Sequence, residues 1–294
     1  MSTMGGPVES TELIGAPGAG RRATRRRRPP REAVRSTGIA IVSTIVVFGI
    51  IAAVVTSAPN WPQVQDAFFN PEIFARSLPE VIDAFWTNVA IFLIAEALIL
   101  PLGLVLAVLR GLRGPVFFPA RLLSTIYVDF FRAVPSLVII FTLGFGIPAL
   151  GIDGVPTDPF LYGVIALVFV YAAYVSEVYR AGIESVHWSQ EAAARSLGLN
   201  RFQAMRHVIV PQAVRRVIPP LLNDFIGLQK DTVLVSSLGV VEIFRQAQII
   251  KAATFNFTPL MAVALVYIVV TIPLARFTDW LVARDRSRQV AGAR

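Results

Sequence analysis

Three stretches of this chain carry no charged residue: between Arg35 and Asp66, from Ala133 to Ile152, and from Ala252 to Ala275. A hydrocarbon core takes roughly 20 helical residues to cross, so each stretch is long enough. Lipid offers an open backbone no hydrogen bonds, and apolar runs of this length meet that demand as helices. Of 294 residues, 55% are hydrophobic and 16% charged, and the apolar residues are gathered in runs rather than scattered. The fold class predicted is all-α, a polytopic membrane protein.

Six spans are expected, at about 37–57, 82–109, 122–147, 160–182, 217–241 and 260–282. Alternating sides along the chain groups residues 1–36, 110–121, 183–216 and the tail from Arg276. These segments hold 21 of the 27 Lys and Arg residues, against 3 in segments 58–81, 148–159 and 242–259. Basic loops stay in the cytoplasm, so both termini are predicted there. This asymmetry accounts for the formal net charge of +8 without any role for nucleic acid.

Residues 1–36 are rich in Gly, Pro, Ser and Arg and read as a disordered basic cytoplasmic tail. Its arginines, Arg21, Arg22 and Arg25 to Arg28, would hold the first span's inner end or touch anionic membrane lipid. The basic and apolar regions are both longer than those of a cleaved signal peptide. Residues 37–79 carry the first span and an outer segment whose Trp61, Phe68 and Phe69 suit a membrane interface. The main transmembrane domain is placed at 80–285, and 286–294 is a short C-terminal cytoplasmic tail.

Between the fourth and fifth spans lies a polar insertion, SQEAAARSLGLNRFQAMRHVIVP, from Ser189 to Pro211. Gln190 to Ser196 is strong helix former. Gly198 sits where a helix favours a left-handed terminal residue. Asn200, with Gln203 three residues on, reads as the capped start of a second helix. That helix carries Leu199, Phe202, Met205 and Ile209 on one stripe, and Pro211 is expected to close the unit. Such a pair would either lie on lipid as an amphipathic helix or meet something in the cytoplasm.

Charges at membrane depth are costly and mark pairs or pathways. Glu96 lies mid-span, with no helical partner in its own segment. Asp129 with Arg132, and Glu177 with Arg180, are three residues apart and are expected to pair on one helix face. The fifth span is the polar one, holding Asn223, Asp224, Gln229, Lys230, Asp231, Thr232, Ser236 and Ser237. Lipid cannot solvate these groups, so they are expected to face other helices or line the route of a polar solute. A break near Gly227 would add half-helix ends to the same route.

The absence of cysteine excludes thiolate metal sites and disulfides, and the two histidines, His187 and His207, lack the partners a metal needs. No metal site is expected. A membrane-embedded enzyme would need a convergent acid–base set, which the dispersed ionisable residues do not supply. A secondary transporter or channel for a small polar solute remains open. It should show an inverted repeat, and none is visible between the halves. A structural or signalling protein would use the basic N-terminus as its working end.

Several ordered segments resemble the permease subunits of binding-protein-dependent ABC importers, in the polar amino-acid branch. That family's pattern is an EAA triplet, three residues, Gly, nine residues, then Ile-x-Leu-Pro. Here nine residues separate Gly198 from Val208-Ile209-Val210-Pro211. Phe130 to Pro135 is similar to the branch's FFRGTP, with Ala133-Val134 in place of Gly-Thr. Ala173 to Val186, Leu228 to Thr232 and Arg245 to Ile250 also look like segments of this branch. The likeness covers about residues 80–285 and leaves the first span outside it. The Gly198 anchor puts the triplet on Ala192-Ala193-Ala194, so the acid falls one position early, at Glu191. One residue is about 100° around a helix, so a shifted contact is implied.

The resemblance implies a type I ABC importer permease fold with cytoplasmic coupling helices, in a bacterial inner membrane. It implies two ABC ATPase subunits, a second permease chain (identical or paralogous) and an extracytoplasmic solute-binding protein. Gln190, Glu191, Ala192, Ala193, Ala194, Gly198, Asn200, Arg201 and Pro211 would then form the ATPase-coupling surface. The chain has no GxxxxGK[ST] phosphate loop, so it would not be an enzyme and would bind no cofactor. ATP and magnesium would sit on the partner ATPase. For a polar amino acid in transit, Glu96 and the polar residues of the fifth span would offer donors and acceptors.

Overall fold

The computed structural model describes residues 31–112 and 114–292. The arginine run Arg21 to Arg28 and the last two residues lie outside the described ones. The chain divides into two units at Trp61. The first holds α1 (Arg31–Thr56), whose side chains from Gly38 to Thr56 are exposed all round. A helix apolar on every face and buried on none suits lipid. It begins at Arg31, so residues 31–36 are helical instead of belonging to the disordered tail expected there.

The second unit opens with the short α2 (Trp61–Phe69) and the long α3 (Pro71–Gly111). Asn70 caps α3, its side chain accepting from the N–H groups of Glu72 and Ile73 at 3.1 Å each. That cap starts the helix well before residue 82, the start of the second expected span. The expected single span at 122–147 is broken. α4 (Phe118–Ala133) gives way to α5 (Ser136–Phe141), a π turn (Thr142–Gly146) and α6 (Ile147–Ala149), and the two halves are bent by 108°. The cause is local: Pro135 pushes Val134 out of the helical region, to φ −87° and ψ 132°.

α7 (Pro159–Glu184) is the central helix, with α3, α4, α5 and α10 packed around it. Ile91 and Ile99 of α3, Ile140 of α5, and Leu167 and Val170 of α7 close the main core. Leu228 and Val235 complete it from the polar span. After α7 come α8 (Trp188–Ser196), α9 (Arg201–Ala204), a π turn (Met205–Ile209) and α10 (Val210–Asp231). A 3-10 turn (Thr232–Leu238), α11 (Ile243–Thr254) and α12 (Thr258–Gly292) follow. α12 runs through most of the segment read as a C-terminal tail. Val81 of α3, Ile243 and Ala247 of α11, and Ala262 and Val263 of α12 form a second core. Among the described residues, 4 helices are long and apolar enough to cross a membrane, or up to 6 if each bent pair is one span.

Candidate functional site

The polar insertion folds as two short helices joined at a tight break. His187 caps α8, its Nδ1 accepting from the Ser189 N–H at 3.2 Å. α8 ends against Gly198, which adopts φ +88°, a region that costs any residue with a Cβ. Asn200 and Gln203 then exchange reciprocal bonds of 2.9 Å, each side chain accepting from the other's backbone N–H. These local bonds fix where the first helix ends and the second begins.

The pair turns Val186, Met205 and Ile209 inward against Ala213 of α10. Phe202 was expected on this stripe, but it is 71% exposed. Trp188 at 75% and Leu197 at 85% are exposed as well, one at each end of α8. Of the nine residues expected to make the coupling surface, Gln190, Ala192, Ala193, Gly198, Asn200, Arg201 and Pro211 are exposed, and Glu191 is half-buried. Ala194 is buried and offers nothing to a partner. The helix period explains the difference, because the third alanine of a run falls on the inner face.

Pro211 does not close the unit. Helix continues from Arg201 through the π turn into α10. The Val210 N–H bonds the Met205 carbonyl, one residue further back than in an α-helix, and this widened turn makes room for the proline ring. Below it, Arg216 of α10 donates to the Ser185 carbonyl at the end of α7. Gly182 lets Val217 pack directly on the α7 backbone. The helix pair is therefore attached to the joined ends of α7 and α10.

The polar span is helix as far as Asp231. Gly227 lies inside α10 and allows close approach of the Tyr171 hydroxyl, so the span is not broken there. The chain breaks instead at Gly239, φ +91°, and bends by 50° into α11. The new helix N-terminus, a natural anion site, is already filled. The Glu242 carboxylate accepts from the Arg245 N–H at 2.7 Å and from Asn88 Nδ2 at 2.8 Å. Asn88 also donates to Thr232 Oγ1 at 3.1 Å and accepts from the Ile243 N–H at 3.0 Å. Asn88, Thr232 and Glu242 are all buried. The positive end of α11 and these donors offset the cost of a carboxylate with no basic partner among the described residues. Half-helix ends were expected to receive a solute, but this one receives the protein's own acid.

Thr232 and Gln229 belong to this node, since Thr232 donates to the Gln229 carbonyl at 2.9 Å. Gln229 Oε1 also accepts from Thr271 at 3.2 Å, while its Nε2 has no partner among the described residues. Asp231 lies on the other side, accepting from the Tyr171 hydroxyl at 2.9 Å. Asp224 is near enough to act electrostatically on Glu96 of α3 and on Tyr171, and Glu96 acts likewise on Tyr179. Glu96, Asp224 and Asp231 thus share one zone with two tyrosines of α7. Lys230 is exposed, and Ser236 is half-buried. Asn223 lines a separate cleft of about 550 Å³ between α10 and α12. Asn88 and Glu242 went unnoticed in the sequence. The one available signal was Asn88 itself, an amide in an otherwise apolar run.

Glu177 and Arg180 pair at 2.6 Å, but Asp129 and Arg132 do not. Arg132 turns instead to Glu177, at 3.8 Å, and over the Tyr174 ring. Tertiary packing brings a second acid within reach, and that contact replaces the local pair.

Residues 99–287 match the family described as "Binding-protein-dependent transport system inner membrane component". The chain is 37% identical over 216 residues to the "Probable glutamine ABC transporter permease protein GlnM" of Bacillus subtilis, covering 73% of this chain and 97% of that one. It is 40% identical over 184 residues to the "Probable amino-acid ABC transporter permease protein PatM" of Vibrio harveyi, covering 62% and 81%. Its fold is similar to the crystal structure of an amino acid ABC transporter with histidines, at TM-score 0.66 and 32% identity, covering 71% and 96%. The inward-facing MetNI methionine ABC transporter shares the fold at TM-score 0.57 with 15% identity.

Proposed function

The chain belongs to the family of binding-protein-dependent transport system inner-membrane components, and on that premise we propose that it is the translocation subunit of an ABC importer for a polar amino acid. The observation that carries the coupling half of this reading is the exposed helix pair α8–α9. A membrane chain gains nothing from capping, bending and rigidly seating such a pair unless something presses on it. The partner is an ATPase subunit, which holds ATP and magnesium; this chain supplies no phosphate-binding loop and binds neither. Two ATPases, a second permease chain and an extracytoplasmic binding protein complete the machine. Both termini and α8–α9 face the cytoplasm, following the distribution of basic residues.

In this reading Trp188, Leu197 and Phe202 enter a groove on the ATPase, with Gln190, Glu191 and Arg201 at the rim. Large apolar anchors within a polar border are what concentrate binding energy in an interface. The solute passes the zone of Glu96, Asp224 and Asp231, where carboxylates and tyrosine hydroxyls accept from an ammonium group. Residues 80–285 do this work, and the first span is an addition to it.

The test is purification of the full chain with co-expressed candidate ATPase and binding-protein subunits. A nucleotide-binding subunit should copurify, and binding protein plus a polar amino acid should raise its ATPase turnover. Import that proceeds at full rate without nucleotide would refute the proposal.

A further inference from the structure

The proposed drive enters at α8–α9, yet the bend that breaks the third span lies on α4–α5. The two regions are joined by one ion-pair hub. Glu177, on α7, takes an ion pair from Arg110 in the last turn of α3 and one from Arg180 at 2.6 Å. Arg132, in the last turn of α4, reaches the same carboxylate at 3.8 Å, and Arg180 is held in turn by Glu184 at 2.6 Å. The Glu177 side chain is only 17% exposed and that of Arg110 only 13%. A partly buried carboxylate shared by three guanidinium groups is costly to leave without them.

The geometry points to Glu177 as a positioning residue that passes motion of the helix pair to the α4–α5 bend. Three observations carry this. The ends of α7 and α10 are held to each other by Arg216 on the Ser185 carbonyl and by Val217 against Gly182, and α8–α9 hangs between those ends. Arg132 stands two residues before Val134, where the chain turns by 108°. Among the described residues, the only ion pairs joining the α7 end to α3 and α4 are those of Glu177. A cleft of about 430 Å³ beside the hub, lined by Glu177, Ala181, Ser185, Arg216 and Pro220, leaves room for movement. The tight Arg110 arm holds α3 to α7, and the looser Arg132 arm is the one that can lengthen and shorten.

This inference rests on the coupling proposed above, and its test separates the two. The assembled transporter is reconstituted in vesicles with its ATPase and binding protein. Import of a mixture of radiolabelled glutamine, glutamate, arginine and histidine is measured against ATP hydrolysed. Glu177→Gln should leave hydrolysis within about twofold and lower import per ATP by about tenfold or more, while Glu177→Asp, which keeps the charge, restores most of it. Arg132→Gln, at the more exposed arm, should give the same defect in weaker form. The chain has no cysteine of its own, so Phe141→Cys beyond the bend reports directly. Its labelling rate should respond to nucleotide in the otherwise unchanged chain and stop responding with Glu177→Gln. An unchanged import-to-hydrolysis ratio in Glu177→Gln would overturn the relay, as would loss of import, hydrolysis and thermal stability together. Import by the unaltered complex at full rate without ATP would remove the proposed function, and the relay with it.

Discussion

Two single residues hold geometry that no neighbour could supply. Gly198 holds φ +88° between α8 and α9, with open space around it, so strain and not crowding decides what can replace it. A β-branched residue pays about 1–2 kcal/mol there. Gly198→Val should therefore shift the angle of the pair and lower import more than ATP hydrolysis, whereas Gly198→Asn stays near the starting activity; paired uptake and ATPase assays check both. Asn88 is the opposite case, a residue defined by its contacts. It gives Glu242 a donor and takes the Ile243 N–H. Asn88→Leu strands a buried acid and a buried amide and should destabilise the fold by about 1–3 kcal/mol, read as a lower melting temperature in detergent. Both effects are local, but only the first was visible in the sequence. A glycine after a helical run announces itself, while an asparagine's partners lie more than a hundred residues away.

Two prolines, one lying inside an expected span and the other expected to close the helix pair, behave differently in their elements. Pro135 ends α4 because the residue before it must leave the helical region and nothing downstream restores the direction. Pro211 ends nothing, because the π turn from Met205 to Ile209 absorbs it. Pro211→Ala should therefore leave the helix intact and uptake within about twofold of the original. Pro135→Ala removes the constraint on Val134 and lets α4 run toward α5; uptake should be largely lost while the chain still reaches the membrane. The contrast is physical: a helix resumes where its hydrogen bonds are re-formed across the proline, and a break survives where the freed groups are satisfied in another way. A similar point applies at Gly239, where the break persists because Asn88 and Glu242 satisfy the exposed start of α11.

At the scale of the whole molecule, the distribution of basic residues makes a topological prediction that a cysteine-free chain allows to be tested cleanly. Gln203→Cys, on α9, should react with a membrane-impermeant reagent only from the cytoplasmic side. Phe255→Cys, at the turn after α11 and 92% exposed, should react only from outside. Deleting residues 1–35 should leave uptake intact, since the family match begins at residue 99. Hydropathy alone established that the chain is helical and multi-pass, and about where four of its spans lie, because burying a backbone in lipid leaves so few choices. Local pattern alone also gave the capped helix pair, whose bonds join residues three apart. What no local pattern held was which polar groups meet: Glu177 with arginines from two other helices, Asn88 with Glu242, Tyr171 with Asp231. Those contacts link residues far apart in the chain, and they exist only after α3, α4 and α10 enclose α7 and α11 packs on α3, when burial makes each unpaired polar group seek the nearest partner the fold provides.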